Sequence, residues 1–311
     1  GGALTFAGFK KGAFSLYFGD SPIYHFDLEG RWQRVFLEER HSLKGLDTTV
    51  HRIDRVREGI NLVLKRSTLD FAETADLDAR VRSMALDLIE ALNGSKLERR
   101  EPPSGIRPLA TETLLDFLER IAAWDSDAWF RHRERYLATY GPLPFVPPDC
   151  QNALILQATL GHVGGIGFGG APTAEHYVRS LDEFRDHCRD VSKLLGRRLA
   201  QCRSVFLAGA DVLHQPAGTV VGYLDAIGEA FPFSGVDGDP SSASLDGIRT
   251  FLDDFAGLDQ DRDFWRELKT RRLERVSLGV ESGDASIRAG FGKRWAEDDL
   301  RASVKAIKSA G

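Results

Sequence analysis

Residues 151–172, QNALILQATLGHVGGIGFGGAP, constrain this chain more than any other stretch. An apolar run at 153–160 opens into a loop dense in glycine at 161–170, and a helical pattern follows. Strand, glycine-rich loop and helix in succession build parallel α/β sheets, whose ligands sit in the loops beyond the strand ends. The rest of the chain is expected to present or cover this loop.

Strand and helix patterns alternate from Cys150 onward. Residues 153–159 read as the first strand. Ser180 and Glu183 form a capping box. Leu181, Phe184, Cys188, Val191 and Leu195 then share one helical stripe. Residues 204–207 read as the second strand, and Val220, Leu224 and Ile227 mark the helix after it. Residues 231–236 read as a weak third strand. Leu245, Ile248, Phe251, Leu252 and Phe255, with Ser244 as N-cap, read as the next helix. Residues 275–280 read as the fourth strand, and Leu300, Val304 and Ile307 mark the last helix. Helical crossovers between strands imply a parallel sheet with its strand-end loops on one edge.

The preceding residues read differently. Residues 1–72 suggest a small antiparallel β domain. Glu29-Gly30 and Glu58-Gly59 mark hairpin turns, between 23–28 and 31–37 and between 50–56 and 61–66. Tyr24, His25, Trp32 and His41 there read as cross-strand aromatic packing rather than a site. Residues 73–149 read as a helical region. Leu77, Val81, Met84, Leu88 and Leu92 form one stripe, stopped by Gly94. Leu114, Leu118, Ile121 and Trp124 mark a second helix, and Trp129, Arg133, Tyr136 and Tyr140 a third. Pro142, Pro144, Pro147 and Pro148 make a stiff linker. A domain boundary is placed there, with 150–311 as the third region.

Bulk properties narrow the function. Of the 311 residues 42% are hydrophobic, and the net charge is −5. This suits a globular chain of about two domains and provides no basic field for nucleic acid. No apolar run approaches the roughly 20 residues of a membrane span. Cys150, Cys188 and Cys202 form no CxxC pair and suit a reducing cytoplasm rather than a disulfide scaffold. Cys188, on an apolar stripe, reads as a packing thiol. No signal peptide is visible. The chain does not begin with Met, as a fragment or processed chain would not.

Three strand-end loops carry the candidate chemistry: residues 161–170, Gly209-Ala210-Asp211 and Glu281-Ser282-Gly283. The first matches no Walker A loop. Residues 165–170 fit GxGxxG, but no acid ends a second strand about 20 residues on, where a ribose partner belongs. Asp211 and Glu281 can each accept from an amine or from ribose hydroxyls. Each can equally cap the helix that follows.

The order of these loops resembles the radical S-adenosylmethionine superfamily, in its elongator-like and coproporphyrinogen-dehydrogenase-type branch. Residues 156–161, LQATLG, are similar to that family's first strand. Residues 206–213, FLAGADVL, are similar to its second-strand loop, which holds the methionine amino group. Residues 275–284, RVSLGVESGD, with GKRW at 292–295 and residues 299–311, resemble its fourth strand and helix. The likeness covers residues 150–311. It implies a partial TIM-type barrel of about four βα units, preceded by the β and helical regions. It also implies S-adenosylmethionine as cofactor, bound through Gly209, Ala210, Asp211, Glu281 and Ser282. The family barrel has about two further βα units, so an open side would be covered by the N-terminal regions, a protein partner or a second copy.

The family's Cys-x3-Cys-x2-Cys, which binds a 4Fe–4S cluster, falls here on His162, Ile166 and Gly169. No thiolate remains, and a cluster needs cysteine sulfur. The resemblance therefore implies a non-catalytic relative that still binds S-adenosylmethionine or a related nucleoside. Two other readings stay open. One is a protein-interaction or scaffold module. The other is an enzyme using His162 with Asp211 and Glu281 as acid and base or as ligands of one divalent metal.

Overall fold

A computed structural model describes residues 4–98, 100, 102, 105–106, 108–143, 146–161, 175–209, 211–233, 245–256, 258, 260–293 and 295–311. The protein is mixed α/β. It divides into two compact units, Gly1–Ala138 with Gly196–Gln201, and Thr139–Leu195 with Cys202–Gly311.

The first unit holds seven antiparallel strands in sequence order. They are β1 (Thr5–Lys10), β2 (Ala13–Phe18), β3 (Ile23–Asp27), β4 (Trp32–Leu37), β5 (Arg40–Lys44), β6 (Val50–Glu58) and β7 (Asn61–Thr68). Alternation builds one buried face, with Phe14 and Leu16 from β2 and Tyr24 and Phe26 from β3, and a register shift in β4 brings both Trp32 and Val35 onto it. Helices α1 (Phe71–Asn93), α2 (Thr111–Ala122) and α3 (Ser126–Thr139) follow. Leu77, Val81 and Ala85 of α1 and Phe117, Leu118 and Ile121 of α2 share that core. Burying each large side chain contributes about 1.5–3 kcal/mol. Asp70 and Glu73 start α1 with a reciprocal capping box. The candidate aromatics pack across strands: Tyr24 meets Phe18 edge-on at 6.0 Å, His25 meets Tyr17 at 5.8 Å, and the Phe36 and His41 rings lie 4.6 Å apart.

Among the described residues two cations are buried in this unit. Arg31 Nε donates to Asp27 Oδ2 at 2.7 Å. Lys44 Nζ donates to Asp78 Oδ1 at 2.6 Å and lies 3.6 Å from the Trp129 ring centroid. Burial pulls the Lys44 amine down to about 8, against the opposing pull of Asp78.

The two Glu-Gly turns look alike in sequence and differ in packing. Both glycines have positive φ, +81° at Gly30 and +64° at Gly59. A Cβ on Gly30 would meet the Arg120 carbonyl oxygen at 2.8 Å, whereas one on Gly59 would meet nothing within 4 Å. Gly30→Ala is therefore expected to destabilise by about 2–4 kcal/mol, backbone strain adding to the clash. Gly59→Ala should cost only about 1–2 kcal/mol of strain. Urea unfolding of the two variants checks the difference.

The second unit contains a parallel sheet of β8 (Ala153–Gln157), β11 (Ser204–Ala208), β12 (Ile248–Leu252) and β13 (Leu273–Leu278), adjacent in that order. A small antiparallel pair, β9 (Thr159–Leu160) and β10 (Tyr177–Val178), stands beyond β8. The helices are α4 (Leu181–Leu195), α5 (Ala217–Ala230), α6 (Arg262–Thr270), α7 (Ala285–Gly290) and α8 (Glu297–Ser309). All five residues of β11 are buried, as expected of a strand covered on both faces. Phe184, Cys188, Val191 and Leu195 form the buried stripe of α4, and burial pushes the Cys188 thiol up to about 12. No closed barrel forms among the described residues.

One sequence expectation is corrected here. The third strand of this sheet is Ile248–Leu252, inside the stretch read as a helix. Of the stretch 231–236, residues 234–236 lie outside the described residues, and Phe233 makes an isolated bridge to Leu245. Ile248, Phe251, Leu252 and Phe255 do fit helical spacing. The same residues also alternate: Ile248, Thr250 and Leu252 are buried, with Arg249 and Phe251 less so. β-Branched and aromatic residues favour the strand. The crossover helix is α6, N-capped by Asp261, whose Oδ1 accepts from Phe264 N at 2.8 Å.

Candidate functional site

The carboxyl ends of β8, β11, β12 and β13 share one edge of the parallel sheet. Such edges take ligands because helix crossovers leave their loops open. Gly209, Asp211, Glu281 and Ser282 all follow these strand ends. Ala210, His162, Ile166 and Gly169 lie outside the described residues.

The β8–β11 side is built on close backbone approach. Ala158 N donates to Ala208 O at 3.1 Å, continuing the pairing past the strands. Gly209 then adopts φ +134°, and a Cβ there would sit 2.1 Å from Thr159 Oγ1. Only glycine fits. Thr159 is 2% exposed, and its hydroxyl has no hydrogen-bond partner among the described residues. Asp211 follows, its Oδ2 3.0 Å from His176 Nε2. The short 3-10 turn Val212–His214 comes next, with His214 N donating to Asp211 O at 3.1 Å. Both ring nitrogens of His214 are buried without a hydrogen-bond partner among the described residues. Buried polar atoms are ordinarily satisfied. Thr159, packed against Gly209, and His214, three residues after Asp211, thus carry polar atoms that are unpaired among the described residues.

The β12–β13 side is closed by a buried lysine. Lys293 Nζ lies 3.1 Å from Glu281 Oε1 and also contacts Asp253 Oδ1. It donates to the carbonyls of Asp253 at 2.9 Å and Gly279 at 3.2 Å. Its side chain is 1% exposed, and each carboxylate is 14% exposed. Glu281 holds φ +56°, a left-handed conformation unusual for a residue with a side chain. Ser282 supports the loop: its Oγ accepts from Asp284 N at 3.1 Å, and Asp284 caps α7. Asp211 and Glu281 follow β11 and β13, strands separated by β12 and so about 10 Å apart at ordinary strand spacing.

Sequence reasoning passed over Thr159, His176, His214, Asp253 and Lys293. A signal existed for some of them. Thr159 and His214 interrupt apolar runs at strand ends, where a core residue would be apolar.

The residues present do not fit an iron–sulfur cluster. Cys150 ends the Pro148–Cys150 turn before β8, and Cys202 precedes β11, both at the amino ends of strands. Cys188 is buried in α4. The chain's three cysteines thus leave no sulfur at the carboxyl edge, and cluster irons are held by thiolates. Among the described residues no group of three or more His, Cys, Asp and Glu side chains could hold a metal ion. Likewise none of the described helices is long and apolar enough to cross a membrane. Comparison with family models, with curated proteins and with solved structures finds no match for this chain.

Proposed function

We propose that the second unit is a radical S-adenosylmethionine-like TIM-type βα domain that has lost its cluster. In this reading it binds S-adenosylmethionine or a related nucleoside without cleaving it. The observation that carries the reading is the set of strand-end residues Thr159, Gly209, Asp211 and His214. It combines a backbone stripped of Cβ, a carboxylate, and buried polar atoms lacking partners. A nucleoside bearing an amino acid supplies what these groups lack. Its ammonium suits the Asp211 carboxylate, and its hydroxyls can serve Thr159 Oγ1 and the His214 ring. Sequential strand order and the FLAGAD and RVSLGVESGD loops at the shared edge also support the resemblance.

We assign the ligand's cation to Asp211. Glu281 and Ser282 then shape the far wall, because Lys293 already satisfies Glu281. Cleavage of the sulfonium requires an electron that no residue here supplies, so the bound molecule is expected to leave unchanged.

Equilibrium dialysis with labelled S-adenosylmethionine tests this. Asp211→Asn keeps the side chain's shape and removes its charge. It is expected to weaken binding about tenfold to a hundredfold, the range of 1.5–3 kcal/mol for a charged hydrogen bond. Equal binding by Asp211→Asn and the unaltered protein would remove Asp211 from the site.

A further inference from the structure

We infer that the β6–β7 hairpin is a docking arm for an extended acidic segment of a partner protein, which pairs with β7 as an eighth strand. The inference goes beyond the nucleoside reading and does not depend on it.

Strand β5 pairs with β6 only between Val50 and Ile53. Beyond that point β6 pairs with β7 alone, from Asp54↔Lys65 to Glu58↔Asn61. The outer half of the hairpin is thus a two-stranded ribbon with both faces open. It ends in Ile60, which is 96% exposed, and carries Leu62 and Leu64 at 65% and 54% exposure. Natural sheet edges of this length are normally blunted or covered. Here β7 ends the sheet, and seven of its eight residues are exposed.

The ribbon's charges are sorted by face. The register pairs Arg57 with Leu62, Arg55 with Leu64 and Ile53 with Arg66, so side-chain alternation places these on one face. That face carries three guanidiniums and no acid. The acids lie on the other face, already engaged: Glu58 with Lys65 at 2.9 Å, and Asp54 with Arg40 at 3.4 Å. Among the described residues no carboxylate pairs with Arg55, Arg57 or Arg66. On a chain of net charge −5 this is a local inversion of sign.

The combination selects one occupant. Pairing of β7 with β7 of a second copy would bring two sets of unpaired arginines together. Insertion into lipid would leave the open N–H and C=O groups of β7 in a medium with no partners for them. A nucleic-acid backbone would use the arginines but neither the leucines nor the strand edge. An added strand uses all three features. Its main chain satisfies the edge, its carboxylates meet the arginines, and its apolar stems cover Leu62 and Leu64.

Fluorescence anisotropy with a labelled short peptide of alternating Glu and Val tests the arm on the full chain. The peptide is expected to bind at low salt, with affinity falling as salt rises. The double variant Arg57→Glu/Arg66→Glu, its folding verified by circular dichroism and thermal melting, should lose about tenfold or more in affinity. A peptide of alternating Lys and Val, and a Glu-Val peptide N-methylated on alternate residues, should both fail to bind. S-adenosylmethionine binding by the double variant should be unchanged. Lack of Glu-Val binding, or equal binding of either control peptide, would overturn the inference. So would capture by anionic vesicles that the peptide does not displace, or a dimer that the double variant abolishes.

Discussion

Lys293→Met is expected to destabilise the second unit by about 3–5 kcal/mol, the cost of leaving a buried ion pair without one partner. Lys293 Nζ serves two carboxylates and two carbonyls at once. Methionine fills the stem's volume but offers no hydrogen to any of them. Asp253 and Glu281 would then face each other uncompensated across Gly279, whose notional Cβ lies 2.3 Å from Asp253 Oδ1 and 3.3 Å from Glu281 Oε1. The left-handed backbone of Glu281 would lose the contact that holds it. Urea unfolding followed by tryptophan fluorescence measures this. Trp295 makes a suitable reporter, since it packs 4.9 Å from Phe255 and under Arg288. A loss below about 1 kcal/mol would mean that the network does not hold the strand ends together.

Acidification from pH 6.5 to 4 is expected to remove about 2–3 kcal/mol of stability for each of two buried histidines. Burial lowers both His132 and His187 to about 4, with nearby Arg31 and Arg179 adding to the effect. The folded state therefore prefers the neutral ring. As pH falls through 6.5 the unfolded chain takes up the proton first, and folding loses stability. Near pH 4 the folded rings also protonate, and the loss levels off. At His187 the cause is visible in the hydrogen bonds. Its Nε2 accepts from Gln157 N at 3.0 Å, and a proton on Nε2 would destroy that acceptor. His187→Gln offers an amide oxygen in its place and should flatten the acid slope of the second unit. His132, between Trp124 and Trp129 in the first unit, would keep its own slope. A stability curve flat between pH 6.5 and 4 in the unaltered protein would contradict these assignments.

The parts of the fold legible in the sequence are those where one period dominates. The hairpin at Glu29-Gly30 could be read because two alternating runs flank a turn that needs positive φ. Helix α1 could be read because Leu77, Val81 and Leu88 repeat at helical spacing with Gly94 as the stop. The third parallel strand was misread because Ile248, Phe251, Leu252 and Phe255 satisfy two periods at once. Only the buried Thr250, whose hydroxyl donates to Leu207 O at 2.8 Å, separates them. The site was half legible. Gly209 and Asp211 stand out because glycine and an acid after an apolar run suggest a strand-end loop. Lys293 did not, because a lysine in GKRW reads as solvated until the fold encloses it. Its contact with Glu281 is twelve residues away in sequence and has no local pattern.

The central claim is that the carboxyl edge of the parallel sheet retains a nucleoside site without a cluster. Calorimetric titration of anaerobically purified protein with S-adenosylmethionine, run beside an iron and sulfide assay, tests it most directly. The expected result is saturable binding at a stoichiometry near one, with no stoichiometric iron, lost in Asp211→Asn. Absence of binding in protein shown to be folded would contradict the claim, as would iron and sulfide at the ratio of a cluster.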